Sequence, residues 1–129
     1  MNATNKSMIA VVDDDNRVLE SIQDLLESVG HAVCLFSSSR TLLEGDALKN
    51  INCLVTDIGL PEIDGFELHR LVRMERPKLP IIFVTARTEA AIMRRAAAVS
   101  HHGVFRKPFD GRELLAAIDR ALSTSSEDQ

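Results

Sequence analysis

The chain has 129 residues, 45% hydrophobic and 26% charged, which suits one domain around a buried core and argues against intrinsic disorder. Its formal charge of -4, with no Trp, no Tyr and five Phe, disfavours nucleic-acid phosphates and offers little for base stacking. No stretch approaches the roughly 18 apolar residues that cross a bilayer, and residues 1–7 lack the apolar centre of a signal peptide, so a cytoplasmic chain without membrane contact is expected.

The first apolar run, Met8-Ile9-Ala10-Val11-Val12, stops at three aspartates. Such continuous runs suit strands buried on both faces of a parallel sheet. Val18, Leu19, Ile22, Leu25, Leu26 and Val29 then recur at helical spacing, and Gly30 marks the helix end. Residues 32–36 read as a second strand. Ser37, Ser38 and Ser39 offer N-cap hydroxyls to a second helix over residues 40–48. A third strand over 53–56 ends at Asp57, and turn residues fill 58–65. A third helix over 66–74 is closed off by Pro77 and Pro80.

A fourth strand over 81–84 ends at Thr85, and an Ala-rich helix follows over 89–98. A short fifth strand, Gly103-Val104-Phe105, runs into Lys107-Pro108. Asp110 and Glu113 then form a capping box for a last helix carrying Leu114, Leu115, Ile118 and Leu122. Residues 123–129 read as a polar tail or the start of a linker, leaving one domain over 1–122. Five strand–helix units with right-handed crossovers give an α/β, flavodoxin-like doubly wound parallel sheet in the order 2-1-3-4-5.

Ligands bind such sheets beyond the carboxyl ends of the strands. That edge gathers Asp13, Asp14 and Asp15 after strand one, Asp57 after strand three, Thr85 after strand four and Lys107 after strand five. Neighbouring carboxylates repel by roughly 1 kcal/mol per pair in water, and by about 4 at an effective dielectric of 20. Lys107 supplies one offsetting charge, and a hard divalent cation such as Mg²⁺ would supply two more. A metal, a cation, a hydroxyl and a carboxylate nucleophile are the parts that phosphoryl transfer to an aspartate needs.

The residues Val11-Val12-Asp13-Asp14, Asp57 with Pro61 and Asp64-Gly65, Val84-Thr85-Ala86 and Lys107-Pro108-Phe109 resemble the receiver domain of bacterial two-component response regulators. The resemblance spans residues 7–122, and the spacings between these motifs agree with it. It implies that Asp57 accepts a phosphoryl group from the phosphohistidine of a sensor histidine kinase. Asp14 would bind Mg²⁺ directly and Asp13 through hydrogen bonds and metal-bound water. Asp57 and the backbone carbonyl of Gly59 would complete the protein ligands. Lys107, the Thr85 hydroxyl and the Ala86 N–H would hold phosphoryl oxygens, and the Lys107-Pro108 bond would be cis, aiming the lysine.

The family also implies a switch. The Thr85 hydroxyl moves toward the phosphoryl group, a strand-five side chain turns inward, and the face of the fourth helix, fifth strand and fifth helix changes its partner binding. The strand-five position, usually Tyr or Phe, is Val104 here. Valine has no ring to swing, so switching should rely more on Thr85 and the fourth helix. Phe105 should face the core. Gly59 and Arg87 flank the pocket mouth, at positions that tune phosphoryl lifetime in the family.

The style is closest to receivers of the nitrogen-fixation-regulator type, which precede a DNA-binding domain. The partners implied are a kinase or phosphotransfer protein and an output domain or protein in transcriptional regulation. A homodimer on phosphorylation also belongs to the family's repertoire. No metabolic reaction is expected beyond self-catalysed phosphotransfer and autodephosphorylation. The chain is either a stand-alone receiver or part of a longer regulator, and the sequence leaves both open.

Other residues carry simpler readings. Asp15 is an N-cap, Asp64-Gly65 is turn chemistry, and His101 and His102 are surface residues rather than metal ligands. Arg70, Arg73 and Arg76 form a solvated basic face. Cys34 and Cys53 are free thiols unless the fold brings them together. Three rivals fit less well. A haloacid-dehalogenase-type hydrolase wants a second acid where Gly59 stands. A flavodoxin wants a phosphate loop where the aspartates stand, and no nucleotide-binding P-loop is present. A degenerate receiver acting as a phosphorylation-independent binding module would have lost one of Asp57, Lys107 or the aspartate pair, and all are present.

Overall fold

The computed structural model describes residues 6–127. Five parallel strands form one sheet: β1 (Met8–Val12), β2 (Ala32–Phe36), β3 (Cys53–Asp57), β4 (Ile81–Thr85) and β5 (Val104–Arg106). Their order is β2-β1-β3-β4-β5, the one expected. The sheet is in register from Ile9 opposite Cys53 to Asp57 opposite Val84, so β1, β3 and β4 end at a common edge.

Alternation along the strands makes two cores. Ala10, Val12, Leu54, Ile81 and Phe83 face one side. They pack against Leu42 of α2 (Ser39–Glu44), Leu48 of α3 (Ala47–Asn50), Leu68 and Val72 of α4 (Gly65–Glu75), and Ala96 of α5 (Ala90–Val99). Ile9, Val11, Cys53, Val55, Ile82 and Val84 face the other side. They meet Leu19, Ile22 and Leu26 of α1 (Asn16–Ser28) and Leu114, Ala117 and Ile118 of α6 (Gly111–Glu127). Every residue of β3 and β4 is buried, which is why residues 53–55 and 81–84 read as apolar runs before their polar ends. Cys34 packs in the first core and Cys53 in the second, so the sheet separates them and both are free thiols.

The helix ends follow local chemistry. Asp15 accepts a hydrogen bond from the Arg17 N–H, and Gly30 leaves α1 with φ of 94°, a left-handed conformation that suits glycine. Asp64 caps α4 by accepting from the Glu67 N–H. Asp110 accepts from the N–H groups of Arg112 and Glu113, the forward arm of the expected box.

Three expectations need correction. The second helix is two short ones, because Gly45-Asp46 interrupts it; glycine is a poor helix former and aspartate favours caps. The last helix does not stop at Leu122 but continues over 123–127, since adding a residue to an existing helix costs little. The remainder of the expected tail, like most of residues 1–7, lies outside the described residues. Finally, Arg70, Arg73 and Arg76 are not one solvated face. Arg70 is exposed and pairs with Glu67 at 2.7 Å. Arg73 donates to the carbonyls of Arg76 and Leu79, and Arg76 to those of Leu48 and Ile51 at 2.7 and 3.1 Å. These two arginines thus spend their guanidinium donors on backbone carbonyls rather than on solvent.

Gly65 begins α4 at the closest backbone approach beside the sheet edge. Its N–H donates to the Ile58 carbonyl at 2.8 Å. A Cβ there would stand 2.7 Å from the Ile58 Cα and closer still to the Asp57 carbonyl oxygen. Both neighbours are backbone, so neither can rotate away. Gly65→Ala is expected to cost about 1–3 kcal/mol in urea unfolding, the range for overpacking; an unchanged unfolding midpoint would contradict this close packing.

Candidate functional site

The strand ends bring together most of the residues singled out above. Asp13 follows β1, and its N–H donates to the Phe36 carbonyl at 3.1 Å. Its carboxylate is 1% exposed as a residue and accepts the Asp15 N–H at 2.9 Å. Asp57 closes β3 at 8% exposure, and Asp14 is exposed. Carboxylate oxygens of Asp13, Asp14 and Asp57 all lie within 4.8 Å of one another. Lys107 reaches in from beyond β5. Its Nζ donates to Asp13 Oδ2 at 2.7 Å and to Asp57 Oδ2 at 3.4 Å. The Lys107-Pro108 peptide is cis, and the Lys107 N–H donates to the Thr85 carbonyl at 2.8 Å.

Thr85 is fully buried, one residue beyond the Val84 that pairs with Asp57. Its hydroxyl oxygen accepts the Arg87 N–H at 3.0 Å and makes no bond to the carboxylates. Ala86 is exposed at the start of the following loop. Gly59 is exposed, and its N–H donates to Asp57 Oδ1 at 3.4 Å. Val104 and Phe105 lie on opposite faces of β5, Val104 against the first core and Phe105 against the second.

The mouth is a cleft lined by Asp14, Gly59, Pro61, Asp64, Arg87 and Arg95, among others. At its edge, the Arg87 guanidinium grips Glu89 with Nη2 to Oε2 at 2.8 Å and Nε to the same carboxylate at 3.1 Å. This pair holds the Glu89 carboxyl down at about 2. A Cβ on Gly59 would stand 3.7 Å from Arg87 Nη1, so the glycine leaves room beside the arginine. The sequence places Arg87 at the pocket mouth and Glu89 at the start of a helix but does not foretell their pairing, since an i,i+2 spacing ahead of a helix gives no helical or strand signal. Neither His101 nor His102 joins a group of three potential ligands among the described residues.

Charge sets the character of the site. Burial pushes the Asp13 carboxyl above its ordinary value; bonds from Lys107 and Asp15 pull it back, and the Asp57 charge adds to the rise. Burial alone would lower Lys107, but its bond to Asp13 and the charges of Asp57 and Asp13 more than reverse that. One ammonium thus faces three carboxylates. The donors are all hard oxygens, the set that suits Mg²⁺ or Ca²⁺ rather than a thiolate- or imidazole-seeking metal.

A raised carboxyl has a signed consequence for stability. Folded Asp13 keeps its proton to higher pH than the unfolded chain, so it carries no penalty below its ordinary 3.8. The penalty grows as pH rises through the raised folded value. Wild type should therefore lose stability relative to Asp13→Asn as pH is raised from 3.8 toward neutrality, read as the difference in urea midpoints. A difference that stays flat across that window would contradict the burial account.

A sequence model of the response regulator receiver domain matches residues 9–119. The response regulator protein TodT of Pseudomonas putida is 33% identical over 121 residues, which is 94% of this chain and 53% of TodT. The transcriptional regulatory protein FixJ of Bradyrhizobium diazoefficiens is 29% identical over 119 residues, 92% of this chain and 58% of FixJ. The chain thus spans little more than half the length of these relatives. The solved structure of the response regulator StyR superposes with a TM-score of 0.85 at 33% identity, covering 95% of this chain and 62% of that one. A CheY-like receiver domain protein from Methanospirillum hungatei gives 0.86 at 26% identity, covering 97% and 100%. From strand order to strand-end residues, then, this chain belongs to the response regulator receiver domain family.

Proposed function

We propose that the chain is a phosphorylation-dependent signalling switch whose acceptor is Asp57. The observation that supports this most is the single lysine bonded to both Asp13 and Asp57, with Asp14 completing a carboxylate cluster within 4.8 Å. A carboxylate oxygen of Asp57 attacks the phosphorus of a phosphohistidine on a sensor kinase. The P–N bond breaks, and the imidazole leaves with the electron pair and takes a proton. Asp13, Asp14, Asp57 and the Gly59 carbonyl are the residues that would hold Mg²⁺, which when bound supplies positive charge to phosphoryl oxygens.

This chain's residues then do three things. Lys107 follows the charge from carboxylate to phosphoryl oxygen. Ala86, exposed just after β4, donates its N–H to a second oxygen. The Thr85 hydroxyl, whose oxygen accepts the Arg87 N–H, donates its O–H to a third. The phosphoryl group adds roughly -1.5 to -2 charges, enough to bias a two-state element. With Val104 in place of an aromatic ring, that element is the loop from Thr85 into α5, and the face of α5, β5 and α6 meets the output partner. The helix numbered fourth from sequence is α5 here because the second is split.

The relatives TodT and FixJ are named as a response regulator and a transcriptional regulator. By that likeness, the output is transcriptional, delivered by a further domain or a separate protein, with dimerisation on phosphorylation as one route. Residues 1–122 form the receiver, and residues 123–127, which continue α6, lead out of it toward a tail or linker. The kinase and output partner would both meet it in the cytoplasm.

Intact mass after incubation with acetyl phosphate and Mg²⁺ tests the reading. Wild type should gain one phosphoryl group that requires Mg²⁺ and is released by hydroxylamine, and Asp57→Asn should gain none. No gain with acetyl phosphate, followed by none with a phosphorylated sensor kinase, would overturn phosphotransfer and leave a receiver-shaped binding module.

A further inference from the structure

The connection from β2 to α2 touches both loops of the acidic site. The Phe36 carbonyl, at the end of β2, accepts the Asp13 N–H at 3.1 Å. Shortly after it, the Ser39 Oγ donates to the Ile63 carbonyl at 2.9 Å. Ser39 is 1% exposed, so water does not compete for this bond. Beside it, Arg40 Nε meets Glu62 Oε1 at 3.3 Å. Glu62 has φ of 65°, a left-handed conformation that a glutamate adopts at some cost. Glu62 and Ile63 belong to the loop over 58–64 that also carries Gly59.

The Ser39 hydroxyl is not needed by its own helix. Ser38 caps α2, accepting the Thr41 N–H at 3.2 Å. A buried hydroxyl is costly unless it is bonded, and this one spends its donor on a distant loop. We propose that Ser39 is a positioning residue for cation binding. Its hydroxyl fixes the 58–64 loop, and with it the Gly59 carbonyl, against the Asp13–Asp14 pair that the Phe36 carbonyl fixes from the other side. The inference rests on the Mg²⁺ reading above.

Ser100 provides a buried-serine control away from the acidic site. It is 7% exposed, and its Oγ donates to the Ile81 carbonyl at 3.0 Å. The same Oγ also lies 3.1 Å from the Gly103 carbonyl and accepts the Gly103 N–H at 3.2 Å. Ile81 begins β4, so Ser100 lies at the opposite edge of the sheet. Mg²⁺ is titrated calorimetrically into wild type, Ser39→Ala and Ser100→Ala, with the Gly59 amide followed by NMR. Ser39→Ala should weaken Mg²⁺ binding about three- to tenfold, the scale of one hydrogen bond, and shift the Gly59 amide even without Mg²⁺. Ser100→Ala should lower thermal stability yet hold Mg²⁺ to within about twofold, as expected of a distant, independent site.

If Ser39→Ala does not fold, Ser39→Cys, close in size with a weaker donor, makes the same comparison. Unchanged Mg²⁺ affinity in the Ser39 variant, or an equal loss in Ser100→Ala, overturns the inference alone. No Mg²⁺ uptake by wild type overturns the metal reading, and the inference with it.

Discussion

Three carboxylates within 4.8 Å, opposed by one ammonium, are the constraint on which the rest of this molecule turns. At an effective dielectric near 20, each close pair of like charges costs about 4 kcal/mol at 4 Å, and Lys107 can offset only part of that. A chain selected for stability alone would not place Asp13 at 1% exposure beside Asp57. The arrangement is one that gains from an added cation and from a group whose oxygens can take over the lysine. In the proposed function, the repulsion in the resting site is what a bound cation relieves.

The fold makes such a site tolerable by holding its parts rigidly. The buried parallel sheet fixes Asp13 and Asp57 on adjacent strands, and β5 delivers Lys107 through a backbone bond to the Thr85 carbonyl. The 58–64 loop is pinned three times. Gly65 donates to Ile58, Asp64 caps α4, and Ser39 donates to Ile63. By contrast, the Thr85 hydroxyl and the Arg87–Glu89 fork are held only by exchangeable local bonds. Rigidity on the acidic side and exchangeable bonds on the hydroxyl side are what a local charge needs to bias one side of a site.

The sequence was informative where one physical cause dominated. Burial on both faces made β1, β3 and β4 legible as apolar runs, and strand ends made Asp13, Asp14, Asp57, Thr85 and Lys107 legible as one edge. The cap at Asp15 followed from local hydrogen bonding, whereas Asp64, read as a turn residue, caps α4. Legibility failed where the cause was tertiary. Nothing local says that Arg73 and Arg76 turn back to backbone carbonyls, or that Ser39 bonds a loop instead of capping its helix. The Arg87–Glu89 pair escaped notice because an i,i+2 spacing ahead of a helix follows neither the helical nor the strand period. The Gly45-Asp46 break was a missed local signal, two poor helix residues inside an expected helix. The length of α6 was set by helix propagation past its last apolar residue.

The most direct measurement of the central claim is the thermal midpoint of wild type and Asp14→Asn, each with and without Mg²⁺. Asp14 is exposed and makes no bond to Lys107, so the substitution removes repulsion while leaving the lysine's two bonds in place. If stored repulsion underlies cation affinity, Asp14→Asn melts higher than wild type without Mg²⁺ and gains little when Mg²⁺ is added, whereas wild type rises with Mg²⁺. A variant that melts lower than wild type without the ion, or still gains as much from it, would contradict the account.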